Sequence, residues 1–212
     1  MTFVPDHLDR PLRTGIFGGS FNPIHTGHIG LGRHLLRKGE VDELWYVVSP
    51  LNPFKQGRSD LLDDAARLRL AQIATAPYPG LSVCDIEMQL PRPSYMVNTL
   101  AALRRLYPQR QFILIIGADN WERFPQWKDS EEILRHHELL IYPRPDTQLP
   151  TTPLPQGIRS VPSPLFNISS TEIRQQIAQG TFKGRGLPPA VRSEITRQGY
   201  YRHPAPSQEQ LH

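Results

Sequence analysis

Short runs of apolar residues alternate along this chain with segments whose apolar positions recur at helical spacing. The runs are Thr14–Gly18 (TGIFG), Leu44–Ser49 (LWYVVS), Leu81–Asp85 (LSVCD), Gln111–Gly117 (QFILIIG) and Glu138–Tyr142 (ELLIY), with Ile158–Val161 as a later candidate. They read as buried strands. Between them, Leu62, Ala66, Leu70 and Ile73 fall on one helical face, as do Met96, Leu100 and Leu103. Asp129–His136 and Ser170–Gln179 read as further helices, the second stopped by Gly180. Pro188–Gln198 has a proline near its first turn and Gly199 just past its end, the asymmetry of a terminal helix. Strands alternating with helices predict an α/β fold: a single doubly wound, Rossmann-like domain with a mainly parallel sheet and a helical C-terminal part. Such a sheet binds its ligands at the carboxyl ends of its strands.

Pro143–Gln156 holds five prolines and little apolar material, and is expected to be a surface loop, because strand and helix patterns resume beyond it. No internal repeat is present. Residues 203–212 lack periodicity and are expected to form a disordered tail, which leaves the domain spanning residues 1–202.

Composition narrows the class. With 212 residues, 38% hydrophobic and 21% charged, the chain is long enough for a sizeable core and reads as soluble and globular. No apolar stretch approaches the roughly 20 residues of a membrane span, and the N-terminal MTFVPDHLDRPLRTG has no apolar region of a secretory signal. The single cysteine, Cys84, excludes an internal disulfide and a cysteine-based zinc site. It is expected to be a small buried residue, in a cytoplasmic protein. A net charge of +4 suits a small polyanionic substrate, and the scattered bases form no stripe of the kind a nucleic acid needs.

The chemistry concentrates in Gly18–His28, GGSFNPIHTGH. A buried strand ends at Phe17, and a helix is expected to begin near Thr26. Gly18 and Gly19 let the backbone approach a ligand, and amides there can face phosphate oxygens. The helix N-terminus favours the same anion. Ser20 offers a hydroxyl, and His25 and His28, three apart, can both face the space above the strand. Two imidazoles beside a phosphate can donate hydrogen bonds to charge that develops in a transition state. A zinc site is the competing reading, but His-x-x-His has no third ligand nearby.

GGSFNPIHTGH resembles the signature of the H-x-G-H nucleotidyltransferase superfamily, in the form carried by bacterial nicotinate-mononucleotide adenylyltransferases. The resemblance runs from about Thr14 to Arg202, through SPLNPFK (Ser49–Lys55), PSYMVNTL (Pro93–Leu100), IIGADNWERFPQW (Ile115–Trp127), LFNISSTEIRQQI (Leu165–Ile177) and LPPAVRSEITRQGYYR (Leu187–Arg202). It implies transfer of AMP from ATP to nicotinate mononucleotide, giving nicotinate adenine dinucleotide and pyrophosphate. The implied partners are these two substrates, with Mg²⁺ arriving on ATP and no dedicated metal cluster. A homo-oligomer is compatible with the reading.

Each segment also reads on its own. Lys55 is a flexible point charge suited to phosphate, and Asn52 can bond a substrate or the local turn. Gly117 closes a buried strand and places Asp119 at its carboxyl end, where a carboxylate accepts from ribose hydroxyls or caps the next helix. Trp121 is expected to pack. Trp127, in an FPQW element like the family's, is expected to stack on the pyridine base. Ser169 or Ser170 can cap a helix whose free amides suit phosphate, and Arg174 can fork two phosphate oxygens. The resemblance places the β- and γ-phosphates of ATP at Ile168–Arg174, and the ATP site further at Gly18, Gly19, Ser20, Phe21, His25, Gly27 and His28. His28 is assigned to the α-phosphate, with His25 and Ser20 orienting it. Ser94, Tyr95 and Met96 are expected beside the acceptor. There the chain departs from the family, whose members usually carry Thr where Met96 stands. Other acceptors (nicotinamide mononucleotide, pantetheine phosphate) and a non-catalytic nucleotide-binding module remain as alternatives.

Overall fold

A computed structural model describes residues 10–50, 61–145, 147, 149–150 and 153–202. Six strands form one sheet: β1 (Leu12–Gly19), β2 (Glu43–Val48), β3 (Leu81–Cys84), β4 (Arg110–Gly117), β5 (Glu138–Tyr142) and β6 (Ile158–Ser160). Their order is β3-β2-β1-β4-β5-β6, and every neighbouring pair is parallel. The sheet is thus more uniform than the mainly parallel one expected. Each apolar run of the sequence becomes a strand, with ends shifted by one or two residues, the usual uncertainty of helix and strand ends.

Seven helices appear among the described residues: α1 (Thr26–Arg37), α2 (Asp64–Thr75), α3 (Met96–Leu106), α4 (Ala118–Arg123), α5 (Ser130–His136), α6 (Ser170–Ala178) and α7 (Pro189–Gln198). Successive strand residues point to opposite faces, so the sheet feeds two cores. On one face Ile113 and Ile115 join Leu35 of α1, Leu70 of α2, Ile173 of α6 and Val191 of α7. On the other, Phe112, Leu114 and Ile116 join Leu100 and Leu103 of α3, Ala118 and Ile133. At the amino end of the sheet the buried Glu43 carboxylate pairs with Arg110 and accepts from Thr14 Oγ1 (2.7 Å). No described helix is long and apolar enough to cross a membrane. Cys84 is half-buried rather than fully so, because β3 is an edge strand, and burial pushes its thiol up to about 11.

The strand order reverses between β1 and β4. Beyond their carboxyl ends, at Gly19 and Gly117, lies the crevice where sheets of this topology bind ligands.

Candidate active site

β1 ends at Gly19, and Ser20–Pro23 turn the chain into α1. Phe21 adopts φ +44°, costly for a bulky residue, and its surroundings hold it there. Its buried ring packs on His28, Tyr46 and Phe17, at centroid distances of 5.0, 5.6 and 5.8 Å. The ring belongs to the core.

Three segments grip this turn. Arg67 Nη1 donates to the Ser20 carbonyl (2.7 Å). Tyr201 Oη and the Leu62 amide both donate to Asn22 Oδ1 (2.8 and 3.2 Å). Arg174 Nη1, 152 residues away in sequence, donates to the Asn22 carbonyl (2.8 Å). Ser170 Oγ donates to the Pro23 carbonyl (2.9 Å). The start of α6 is therefore docked on the histidine turn, bringing the two phosphate segments of the sequence together.

That docking fixes the start of α6. The Ser170 proton and one Nη1 hydrogen of the buried Arg174 are committed to protein carbonyls. Ser169 caps α6, accepting from the Glu172 amide at 3.5 Å. The Ile168 amide donates to the Phe166 carbonyl (2.8 Å).

His25 and His28 form a reciprocal cap at the start of α1. His28 N–H donates to His25 Nδ1 (3.4 Å), and His25 N–H donates to His28 Nδ1 (3.2 Å). The rings stack at 3.6 Å between centroids, 17° apart. Because each Nδ1 accepts, each neutral ring carries its proton on Nε2 and is a donor there. His25 is only 4% exposed, and burial, reinforced by the positive charge of Arg144, lowers its pKa to about 3. It is a neutral imidazole at pH 7. The His28 carbonyl accepts from the wholly buried Tyr46 hydroxyl (2.9 Å), which fixes the first turn of α1 to β2. Gly27 is buried beside them, where a Cβ would come within 3.0 Å of both His25 Nδ1 and Phe166 Cβ.

Across the crevice, Asp119 lies 3.5 Å from Arg144 Nε. Gly117, not Asp119, is the N-cap residue of α4, and no side chain caps that helix, so the capping alternative for Asp119 is not realised. A Cβ on Gly117 would meet Asp119 Oδ1 at 2.3 Å and Arg144 Cγ at 3.0 Å, so glycine lets this pair form. Phe17, His25, Gly27, His28, Tyr142 and Arg144 line one small cleft. The opening of the proline-rich segment after β5 thus walls the crevice, where only a surface loop had been expected.

Met96 begins α3 with its Cε only 2.6 Å from where a Cβ on Gly18 would stand, so this thioether covers the end of β1. Gly19 is covered in turn by the Phe21 ring. Ser94 is buried, its Oγ 3.2 Å from Ser49 Oγ. Tyr95 precedes α3, with Lys128 Nζ 4.8 Å from its ring centre. Trp121 stacks on Phe124 (5.5 Å), as expected of a packing residue. Trp127 is half-buried against Phe124 (5.3 Å), and its buried indole N–H has no partner among the described residues. Asn52 and Lys55 lie outside the described residues. Among those described, no group of three His, Cys, Asp or Glu residues gathers as a metal site.

Three residues of this architecture escaped the reading of the sequence. Arg67 shares the buried face of α2 with Ala66, Leu70 and Ala71, and a charge on an apolar stripe was the available signal. Arg144 sits between two prolines just past β5, at the ligand end of a strand. Tyr201 had no local signal, since its partner is 179 residues away.

Comparison with known proteins gives a consistent neighbourhood. The model of the family described as cytidylyltransferase-like matches residues 16–176. A nicotinate-nucleotide adenylyltransferase of Bacteroides thetaiotaomicron is 51% identical over 166 residues, 78% of this chain and 82% of that one. One from Flavobacterium psychrophilum is 39% identical over 193 residues, 90% of this chain and 100% of that one. Among solved structures, Plasmodium falciparum nicotinic acid mononucleotide adenylyltransferase complexed with NaAD superposes with a TM-score of 0.73, covering 90% of this chain and 97% of that chain. Its identity is 17%, so that likeness speaks to the fold.

Proposed function

This chain belongs to the cytidylyltransferase-like family, among the nicotinate-nucleotide adenylyltransferases, and from that premise we propose how its crevice carries AMP from ATP to nicotinate mononucleotide. The observation that carries the mechanism is the stacked, reciprocally capped pair His25–His28 at the strand-order reversal. An acceptor 5′-phosphate oxygen attacks the α-phosphorus of ATP. The bond from that phosphorus to the bridging oxygen breaks, and pyrophosphate leaves with the electron pair. No protein atom needs to bond to phosphorus.

Reactions of this type are accelerated by alignment and by donors aimed at the phosphoryl oxygens. His28 donates from Nε2 to an α-phosphate oxygen as its charge grows. His25, neutral and buried, orients His28 through the shared cap, and Ser20 adds a hydroxyl at the same turn. Arg144 and Lys55 supply positive charge for substrate phosphates, and the α6 start adds the amides that the docking leaves available. Asp119 is placed for hydroxyls of the ATP ribose, and Trp127 for the face of the pyridine ring. Mg²⁺ enters on the triphosphate and keeps most of its waters, which needs no protein cage. The single cysteine fits a reducing, cytoplasmic setting.

The test is incubation with Mg-ATP and, in separate arms, nicotinate mononucleotide, nicotinamide mononucleotide and pantetheine phosphate, with the products identified by mass. Nicotinate adenine dinucleotide, formed fastest and with equimolar pyrophosphate, is expected. Nucleotide binding without pyrophosphate release in any arm would defeat the reading.

A further inference from the structure

We propose that Arg67 is a positioning residue that fixes the histidine turn against the carboxyl end of β2. β1 and β2 run in register to Gly19 and Val48, and Ser49 N–H makes one last bond across, to the Gly19 carbonyl (2.9 Å). β1 leads from here into the histidine turn, and β2 ends just before Ser49. Between these two ends stands Arg67, wholly buried. Its Nη1 donates to the Ser20 carbonyl and to the Ser49 carbonyl, each at 2.7 Å. One nitrogen thus ties the first residue after β1 to the first residue after β2.

The remainder of the guanidinium is fixed as firmly. Nε donates to the Leu62 carbonyl (3.0 Å), Nη2 pairs with Asp64, and Asp64 is held in turn by Arg92 Nη2 (2.8 Å). Ser49 also meets Ser94 through their hydroxyls, so the same anchor reaches the segment that enters α3. A planar fork can serve all these acceptors at once, whereas a lysine ammonium, flexible and compact, does not reproduce that geometry. An error of about 1 Å in the alignment of reacting groups can cost about 10² in rate. Arg67 touches no reacting atom on this account. It acts through the Ser20 and Ser49 backbone that it holds.

The proposal rests on the adenylyl-transfer reading, and Arg67→Lys separates the two. If the wild type makes no dinucleotide, that reading has failed. If the wild type does, Arg67→Lys is expected to keep its circular dichroism and its KM for both substrates within about threefold, while kcat falls about 10- to 100-fold. That split between kcat and KM distinguishes misalignment from loose folding, which would lower stability and weaken binding together. A folded Arg67→Lys with wild-type kcat overturns the proposal, and so does a fall in kcat matched by equal losses in affinity for both substrates. If Arg67→Lys does not fold, Asp64→Asn, which loosens the Nη2 anchor together with the exposed Arg92 pair, is judged by the same split. Wild-type kcat in folded Asp64→Asn overturns the proposal.

Discussion

Gly32→Ala offers a sharp test of the packing beneath the histidines. Gly32 faces β2 from α1, and a Cβ there would lie 2.3 Å from Tyr46 Oη, 3.0 Å from Leu81 Cδ2 and 3.3 Å from Tyr46 Cζ. The hydroxyl is the contact that cannot stand, and it is wholly buried while donating to the His28 carbonyl. Moving it aside overpacks the site, which costs about 1–3 kcal/mol, and breaks a hydrogen bond with a net value of about 1 kcal/mol. Against this, alanine is the better helix former by about 1 kcal/mol. The balance is a loss of about 1–3 kcal/mol, or a fall in Tm of roughly 2–12 °C for a chain of this size. In a Tyr46→Phe background the oxygen is gone, and the next contacts, at 3.0 and 3.3 Å, need shifts of only a few tenths of an ångström. There Gly32→Ala should be nearly neutral. Urea unfolding of the four proteins of the cycle gives the coupling, expected at about 1 kcal/mol or more. Equal costs in the two backgrounds would refute the argument that the Tyr46 hydroxyl requires glycine at position 32.

Further outcomes follow from the site. His28→Ala removes a donor to developing charge, so kcat should fall about 10²–10³-fold with the fold retained, and near-normal turnover would remove His28 from its role. Stacking on a base is worth about 1–3 kcal/mol, so Trp127→Ala should raise KM for nicotinate mononucleotide roughly tenfold or more while KM for ATP stays within about twofold. A matching rise in both would return Trp127 to packing alone. His25 and His137, lowered to about 3 and about 4 from 6.5, are neutral in the folded protein. Between pH 6.5 and those values the unfolded chain binds protons that the folded rings refuse, so stability should fall as pH falls through that window. His137→Gln should flatten the slope of Tm against pH between 4 and 6.5, and an unchanged slope would contradict the assignment.

The fold was legible because its signal is local. Runs such as QFILIIG are buried on both faces, and no helix of this size could present them. The histidine turn was legible for the same reason: cap, glycines and both imidazoles fall within eleven consecutive residues. What the sequence hid is what joins distant segments. The bond of Arg174 to the Asn22 carbonyl spans 152 residues, and that of Tyr201 to Asn22 spans 179. No spacing rule reaches so far. Phe21 and Ser170 illustrate a second gap. Residue type does not show that the Phe21 ring packs inward or that the Ser170 hydroxyl donates to the Pro23 carbonyl.

The claim on which everything else depends is that AMP moves in one displacement at this crevice, without bonding to the protein. The measurement that tests it most directly uses ATP with a chiral phosphorothioate at the α-phosphorus, nicotinate mononucleotide as acceptor, and assignment of the configuration in the dinucleotide formed. A single in-line displacement inverts that configuration, and inversion is the predicted result. Retention, which requires AMP to pass through a bond to the enzyme, would contradict it.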